Sequence, residues 1–143
     1  MKILIQKVSK IKIFSQKKLI FDSKGGYLFY IGLEKGDELK NLNFIVEKIE
    51  NLEIVDENGK FLRNLKQTRP NLFFISNITL ISAFKNKKIN FNLSLEPKLA
   101  KEIFDNLVFN FDKLGYNIFK VEFGSFLEVE ASNIGPINFF LSF

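Results

Sequence analysis

The alternation of apolar and polar residues predicts strands near both ends of the chain. From Met1 to Phe14, apolar side chains such as Ile3 and Ile5 alternate with polar ones, and this period of two is typical of a half-buried strand. The polar segment Ser15 to Lys18 predicts a turn, and Leu19 to Asp22 is the expected hairpin partner. Towards the C-terminus, the same alternation predicts three more strands, at Phe119 to Phe123, Leu127 to Ala131 and Ile137 to Phe143.

Two continuous apolar runs predict strands that are covered on both faces. They are Tyr27 to Leu33 and Leu72 to Ile75, and such runs favour the interior of a sheet. Asn58-Gly59 predicts a tight turn between them. We interpret Gly25-Gly26 as a turn as well.

Helical spacing of apolar residues marks two segments. Asp37 is a candidate cap for a helix that runs to about Leu52, with a stripe of Leu42, Ile45, Val46 and Ile49. The second helix is predicted from Leu95 to Leu114, with Ser94 as its cap and Pro97 in its first turn. Its apolar stripe consists of Phe104, Leu107, Phe111 and Leu114, and Gly115 stops it.

The order of these elements predicts one compact α/β domain over residues 1–143. We expect mixed, mainly antiparallel sheets with two helices packed on one side. The chain is 46% hydrophobic and 26% charged, which is globular composition. It has no apolar run long enough for a membrane span and no secretory leader pattern, so we expect a cytoplasmic protein. The net charge of +5 fits a polyanionic partner such as RNA, and fits equally a Lys-rich proteome.

The chain contains neither Cys nor His. This absence excludes disulfides, thiolate nucleophiles, and Ser-His-Asp or Cys-His catalysis. A hydrolase with this composition would have to use Asp, Glu, Lys, backbone groups or the atoms of its substrate. No metal-ligand constellation or nucleotide-binding glycine motif is present, so we expect neither a metal nor a cofactor.

Two segments interrupt the periodic pattern and are candidates for chemistry. Ser76-Asn77-Ile78-Thr79-Leu80 directly follows a buried strand. Polar groups in such a place often line a pocket, although they also serve as ordinary caps of a strand end. Asn133-Ile134-Gly135-Pro136 lies between the last two predicted strands. Its Gly-Pro bond can be cis at a cost of about 0.5–1 kcal/mol, although a plain turn fits the same residues.

Charged residues form two further groups. Three lysines with neighbouring aromatic residues fall in a predicted loop from Ser82 to Leu93, namely Lys85, Lys87 and Lys88 with Phe84 and Phe91. This combination suits phosphates and stacked bases, and it also suits a solvated loop. Three acidic residues alternate along the predicted C-terminal strands, namely Glu122, Glu128 and Glu130. A solvent-facing row explains them better than a carboxylate pair for acid-base catalysis.

Six segments together resemble the D-aminoacyl-tRNA deacylase family, in order and nearly end to end. Ser76 to Leu80 resembles the family's Ser-Gln-x-Thr-Leu motif, Phe123 to Val129 its Phe-Gly-x-x-Met-x-Val segment, and Asn133 to Asn138 its Asn-x-Gly-Pro-x-Thr motif. The other three segments are Gln6-Lys7-Val8, Gly32 to Asp37, and Lys48 to Lys60.

The resemblance implies a homodimer that hydrolyses the ester of D-aminoacyl-tRNA, and possibly of glycyl-tRNA, without a metal or cofactor. It implies that each subunit lends a cis Gly-Pro loop to the pocket of its partner and so rejects L-amino acids. Backbone groups near Ile78 and Thr79 would polarise the ester, and the 2'-hydroxyl of the terminal adenosine would help to activate water. The implied catalytic residues are Ser76, Asn77, Ile78 and Thr79. The implied substrate-binding residues are Gly135, Pro136, Asn133, Phe91, Leu127 and Leu80, and the tRNA-binding candidates are Lys85, Lys87 and Lys88.

The chain departs from the family's pattern at five places. Asn77 stands for Gln, Leu127 for Met, Asn138 for Thr, Ile89-Asn90 for Arg-Pro, and Lys7 for Arg. These departures motivate one alternative, a non-catalytic tRNA-binding dimer that keeps the fold. The second alternative is a basic structural dimer that has no RNA-related function.

Overall fold

The computed structural model describes residues 1–143, and its centre is a mixed five-stranded sheet. Nine strands occur along the chain: β1 Lys2–Ser15, β2 Lys18–Gly32, β3 Val55–Glu57, β4 Lys60–Arg63, β5 Leu72–Ser76, β6 Ala83–Lys85, β7 Lys88–Asn90, β8 Ile118–Lys120 and β9 Leu127–Ser142. The main sheet has the order β8-β5-β2-β1-β9. β1 is antiparallel to β2 and β9, whereas β2, β5 and β8 are parallel. The remaining strands form two separate antiparallel hairpins.

The helices lie on one face of this sheet. They are α1 Leu42–Asn51, α2 Leu65–Thr68 and α3 Pro97–Lys113, with short 3₁₀ helices at Leu39–Asn41 and Ile78–Ile81. The predicted stripe of α1 is buried, and together with α3 it covers Phe29 and Phe74 of the sheet. The rings of Phe29 and Phe74 stack with their centroids 4.9 Å apart, and the ring centroid of Phe111 in α3 lies 5.4 Å from that of Phe74. The structure thus confirms an α/β fold with mixed, mainly antiparallel sheets and two long helices on one side, and adds the short helix α2.

A smaller apolar cluster lies on the opposite face of the sheet. It includes Leu28, Phe73 and Ile75 together with Val8 and Val121. The runs around Leu28 and Phe73 are therefore covered on both faces, as their continuous apolar sequence predicts. None of the helices has the length and apolarity that a bilayer crossing needs.

The predicted starts of both long helices are wrong, because the candidate caps bond elsewhere. The Asp37 carboxylate accepts from the N-terminal ammonium of Met1 at 2.5 Å and from the Glu34 amide at 2.8 Å, and α1 begins only at Leu42. The Ser94 hydroxyl donates to the Phe91 carbonyl at 2.7 Å. Glu96 caps α3 instead, since its carboxylate accepts from two amides of the first turn. Leu114, the last residue of the predicted stripe, lies just beyond the end of α3 and is 40% exposed, so the buried stripe ends at Phe111.

Gly25-Gly26 is not a turn, because it lies inside the unbroken strand β2. A Cβ atom on Gly25 would lie 1.9 Å from the Val8 carbonyl oxygen, and one on Gly26 would lie 2.2 Å from the Asn71 carbonyl oxygen. Glycine therefore allows close approach of neighbouring backbones on both sides of β2. This requirement is three-dimensional, and a single sequence does not reveal it.

Three other predictions also differ from the structure. The Lys-bearing loop is the hairpin β6–β7, because Asn86 and Lys87 both adopt the positive φ of a two-residue turn. The last two predicted strands are one strand, β9, whose break in alternation is absorbed by an irregularity in its pairing. β8 ends at Lys120, so the predicted strand to Phe123 extends three residues too far.

Candidate functional site

A cavity of about 570 Å³ opens where β5 ends. Its walls come from the 3₁₀ helix Ile78–Ile81, the first turn of α3, and the turn that precedes β9. The size lies within the range of natural small-molecule sites. Most of its lining is apolar, and no charged side chain takes part.

The polar segment after β5 forms one wall of the cavity. Ser76, Asn77, Ile78 and Thr79 all line it. The Gly124 amide donates to the Ser76 hydroxyl oxygen at 2.9 Å, which ties the turn before β9 to the end of β5. Ser76 thus positions the opposite wall, and its own proton is free for a further hydrogen bond.

Asn77 caps the 3₁₀ helix. Its Oδ1 accepts from the Thr79 amide at 3.0 Å and from the Thr79 hydroxyl at 2.5 Å. Because a backbone N–H can only donate, these bonds fix which side of the amide is oxygen. The Nδ2 group of Asn77 remains as a pair of free donors, whereas the amide of Thr79 is already occupied.

Tyr30 is the one titratable side chain in the cavity wall. Burial raises the pKa of its phenol above the ordinary value, so it stays protonated at neutral pH. The cavity therefore offers neutral hydrogen-bond donors and no side chain that acts as a base near pH 7.

Gly135 and Pro136 protrude from the middle of β9. Gln6 pairs with Asn138 and Val8 pairs with Asn133, so residues 134–137 stand opposite Lys7 alone. The Gly135-Pro136 bond is cis, the isomer that the resemblance implies, and Gly135 has a φ of +111°. A Cβ on Gly135 would lie 2.5 Å from Cγ1 of Ile137. Only glycine therefore fits the protrusion as it stands.

Asn133 closes the base of this protrusion. Its Nδ2 donates to the Lys7 carbonyl at 2.9 Å and to the Ile137 carbonyl at 3.2 Å. Asn138 donates to Asn133 Oδ1 at 3.3 Å and accepts from Gln6 at 2.9 Å. Asn133 acts within its own chain as a support for the loop.

The remaining candidates divide between the cavity and the surface. Leu127 lines the cavity, whereas Leu80, Phe91, Asn133, Gly135 and Pro136 do not. The lysines lie on the exposed hairpin β6–β7, whose Phe84 is 77% exposed. The acidic row Glu122, Glu128 and Glu130 is solvent-exposed as predicted.

Several cavity residues were missed by the sequence analysis. They are Tyr30, Pro97, Ala100 and Phe126, among others. Tyr30 lies in a continuous apolar run and Ala100 lies in a predicted helix, so nothing in the sequence separates them from core residues. Phe126 alone carries a signal, because it is a large apolar residue between two predicted strands.

Comparison with known proteins identifies relatives over the whole chain. The family model described as D-Tyr-tRNA(Tyr) deacylase matches residues 4–142. A D-aminoacyl-tRNA deacylase of Psychrobacter sp. is 32% identical over 99% of this chain and 98% of its own length.

Two solved structures share the fold. A c-Myc DNA unwinding element binding protein superposes with a TM-score of 0.89 at 25% identity, covering 99% of this chain and 98% of its own. A probable eukaryotic D-amino acid tRNA deacylase superposes with a TM-score of 0.83, covering 98% and 97% of the two chains. Its identity of 10% supports the fold alone.

Proposed function

This chain belongs to the D-Tyr-tRNA(Tyr) deacylase family, and from that membership we propose that it hydrolyses the ester bond of D-aminoacyl-tRNA. In this reaction, the oxygen of water bonds to the ester carbonyl carbon and the bond to the ribose oxygen breaks. The ribose oxygen takes up a proton, and the products are tRNA and a free D-amino acid. The observation that supports this proposal best is the uncharged cavity walled by Ser76 to Thr79.

The lining of the cavity restricts how the reaction is catalysed. No Asp, Glu or Lys lines it, and the chain has no His or Cys. We assign the proton of the water to the 2'-hydroxyl of the terminal ribose, which passes its own proton to the leaving ribose oxygen and is held beside it by covalent structure. The protein contributes position and neutral donors.

Asn77 is the donor that we assign to the ester carbonyl. Its Nδ2 group is free while its oxygen is fixed by Thr79, so the donor is held in one orientation before the substrate arrives. A fixed donor stabilises the negative charge that develops on the carbonyl oxygen. Asn77, which stands where the family has Gln, therefore keeps an amide donor for catalysis. This favours the hydrolase over the non-catalytic tRNA-binding dimer.

The Gly135-Pro136 protrusion is the element that we assign to chiral selection. It is exposed and does not line the cavity of its own chain, so it is available to enter the cavity of a partner subunit in a homodimer. There it would collide with the side chain of an L-amino acid and leave room for the D-isomer. Glycyl-tRNA carries no side chain to exclude, so we expect it to be accepted.

Replacement of Asn77 by Ala tests the catalytic assignment. Loss of one oxyanion donor lowers kcat by about 10²–10³-fold in a well-studied hydrolase, and we expect an effect of that order on D-tyrosyl-tRNA with little change in tRNA affinity. The matched control is Asn106→Ala, because Asn106 is exposed on α3 and bonds only to its own helix. A kcat for Asn77→Ala equal to that of the control would remove Asn77 from the mechanism.

A further inference from the structure

Phe126 is the most exposed large apolar side chain of the molecule. Its exposed fraction is 96%, yet it also lines the cavity. Full hydration of an aromatic ring is unfavourable because its apolar surface is left in contact with water. Contact between this ring and a flat apolar group at the cavity mouth would therefore be favourable, because it removes apolar surface from water.

The turn that carries Phe126 is tied to the rest of the fold. The Gly124 amide donates to Ser76 at 2.9 Å, and the Ser125 amide donates to the Glu122 carbonyl at 3.3 Å. Leu127, the next residue, begins β9 and lines the cavity. Phe126 thus lies at the rim of the cavity, between the hydrogen-bonded turn and the start of β9, which hold its backbone in place.

The position belongs to this chain rather than to the motif around it. Phe126 occupies one of the three unspecified positions in the segment that resembles Phe-Gly-x-x-Met-x-Val. A second apolar side chain, Ile78, is 53% exposed and also lines the cavity. The mouth of the cavity therefore carries apolar surface on two of its walls.

We propose that Phe126 stacks on a nucleobase in the single-stranded 3' end of tRNA, next to the terminal nucleoside that occupies the cavity. The inference rests on the proposed function, because it is the aminoacylated end of tRNA that brings a second base to this rim. Stacking suits the feature, since every base offers a flat face and no hydrogen-bond partner is required. The basic balance of the chain, +5, favours the approach of the phosphates on either side of that base.

The test measures binding of uncharged tRNA and needs no turnover. Affinity is compared at low salt for a tRNA with its complete 3' end and for the same tRNA without its last three nucleotides. Stacking on one base is worth about 1–3 kcal/mol, which corresponds to an affinity change of roughly 5- to 150-fold. We expect Phe126→Ala to weaken binding of the complete tRNA by at least about 5-fold and to leave binding of the shortened tRNA unchanged.

Two further variants isolate the ring as the cause. Phe126→Tyr keeps the aromatic face and should bind like the wild type. Phe44→Ala removes another exposed Phe, 58% exposed on α1 and outside the cavity lining, and should bind both tRNAs like the wild type. Because the ring of Phe126 is almost wholly exposed, its removal should not change the thermal midpoint of unfolding.

Three results would overturn the proposal. They are equal affinity of Phe126→Ala and wild type for the complete tRNA, an equal loss on both tRNAs, and a change of oligomeric state in Phe126→Ala. The last would place the ring in a contact between subunits. Failure of the wild type to hydrolyse D-tyrosyl-tRNA would contradict the proposed function and would leave these binding results interpretable.

Discussion

Single residues determine how polar groups are used in the cavity. Asn77 and Ser76 both accept hydrogen bonds from backbone amides, so each uses its oxygen in the fold and keeps a donor group free. The sequence predicted that these residues lie together but not which of their atoms the fold occupies. For Ser76 this depends on the path of the chain near Gly124, 48 residues away in sequence, and no local pattern encodes that path.

The three tyrosines should ionise at a higher pH in the folded protein than in the unfolded chain. Burial is the main cause that raises the pKa of all three, to about 12 for Tyr27, with Tyr30 and Tyr116 also raised. Tyr116 additionally donates to Glu50 at 2.7 Å. At pH 10, we expect less tyrosinate absorbance from the folded protein than from the urea-unfolded chain, which should be about half ionised.

The same shifts predict a loss of stability at alkaline pH. A phenol whose pKa is raised by folding contributes stability that is fully present below the unfolded value near 10 and is lost as the pH rises through the folded value. The free energy of unfolding, measured in urea, should therefore decrease between pH 10 and about 12. Half-ionised tyrosines in the folded protein at pH 10 would show that these side chains are solvated.

The sequence predicted elements correctly where the apolar pattern was long and uninterrupted or a turn motif was present. The stripe of α1, the buried run of β5 and the Asn58-Gly59 turn all agree with the structure. The starts of the helices were wrong because Asp37 and Ser94 bond to distant or preceding backbone. β9 was divided in two because its protrusion breaks the alternation, although Asn133 bridges the gap.

Asn133 should control the shape of this protrusion. Its two bonds, to Lys7 and Ile137, close the neck of the loop. Replacement by Ala removes both, and we expect the ratio of D- to L-tyrosyl-tRNA hydrolysis to fall by about tenfold, at a stability cost of about 1–2 kcal/mol. The matched control is Asn138→Ala, which removes only the outer bonds of the network.

An unchanged D-to-L ratio in Asn133→Ala would contradict a role of the loop in selection. A lower ratio in both variants would assign the role to the whole network around Asn138 rather than to the neck itself. Unfolding in urea separates either result from a general loss of structure.

At the scale of the whole molecule, the main sheet ends in a long edge strand. β9 is a 16-residue edge strand of the sheet, and it exposes apolar side chains such as Phe140, at 58%. Long apolar edges are normally covered or paired. This supports the proposed homodimer, in which the protrusion of one subunit completes the cavity of the other.

Mixed dimers test whether a site is shared. Asn77→Ala damages the cavity, and Gly135→Ala damages the loop through the 2.5 Å approach to Ile137. If each site combines the cavity of one subunit with the loop of the other, a mixed dimer has one intact site. After subunit exchange at equal amounts, hydrolysis of L-tyrosyl-tRNA by the Gly135→Ala subunits should fall to roughly half, because half of their cavities now meet an intact loop. Hydrolysis of the L-ester that does not change on exchange would place the cavity and its loop in one subunit.

Stereoselective hydrolysis is the activity that we propose for this protein, and single-turnover deacylation of matched D- and L-tyrosyl-tRNA measures it. With purified protein in excess, we expect rapid loss of the D-ester while the L-ester decays at the rate of the sample without enzyme. Decay of both esters at that spontaneous rate would rule out the proposed hydrolysis, and the non-catalytic tRNA-binding dimer would then explain the fold.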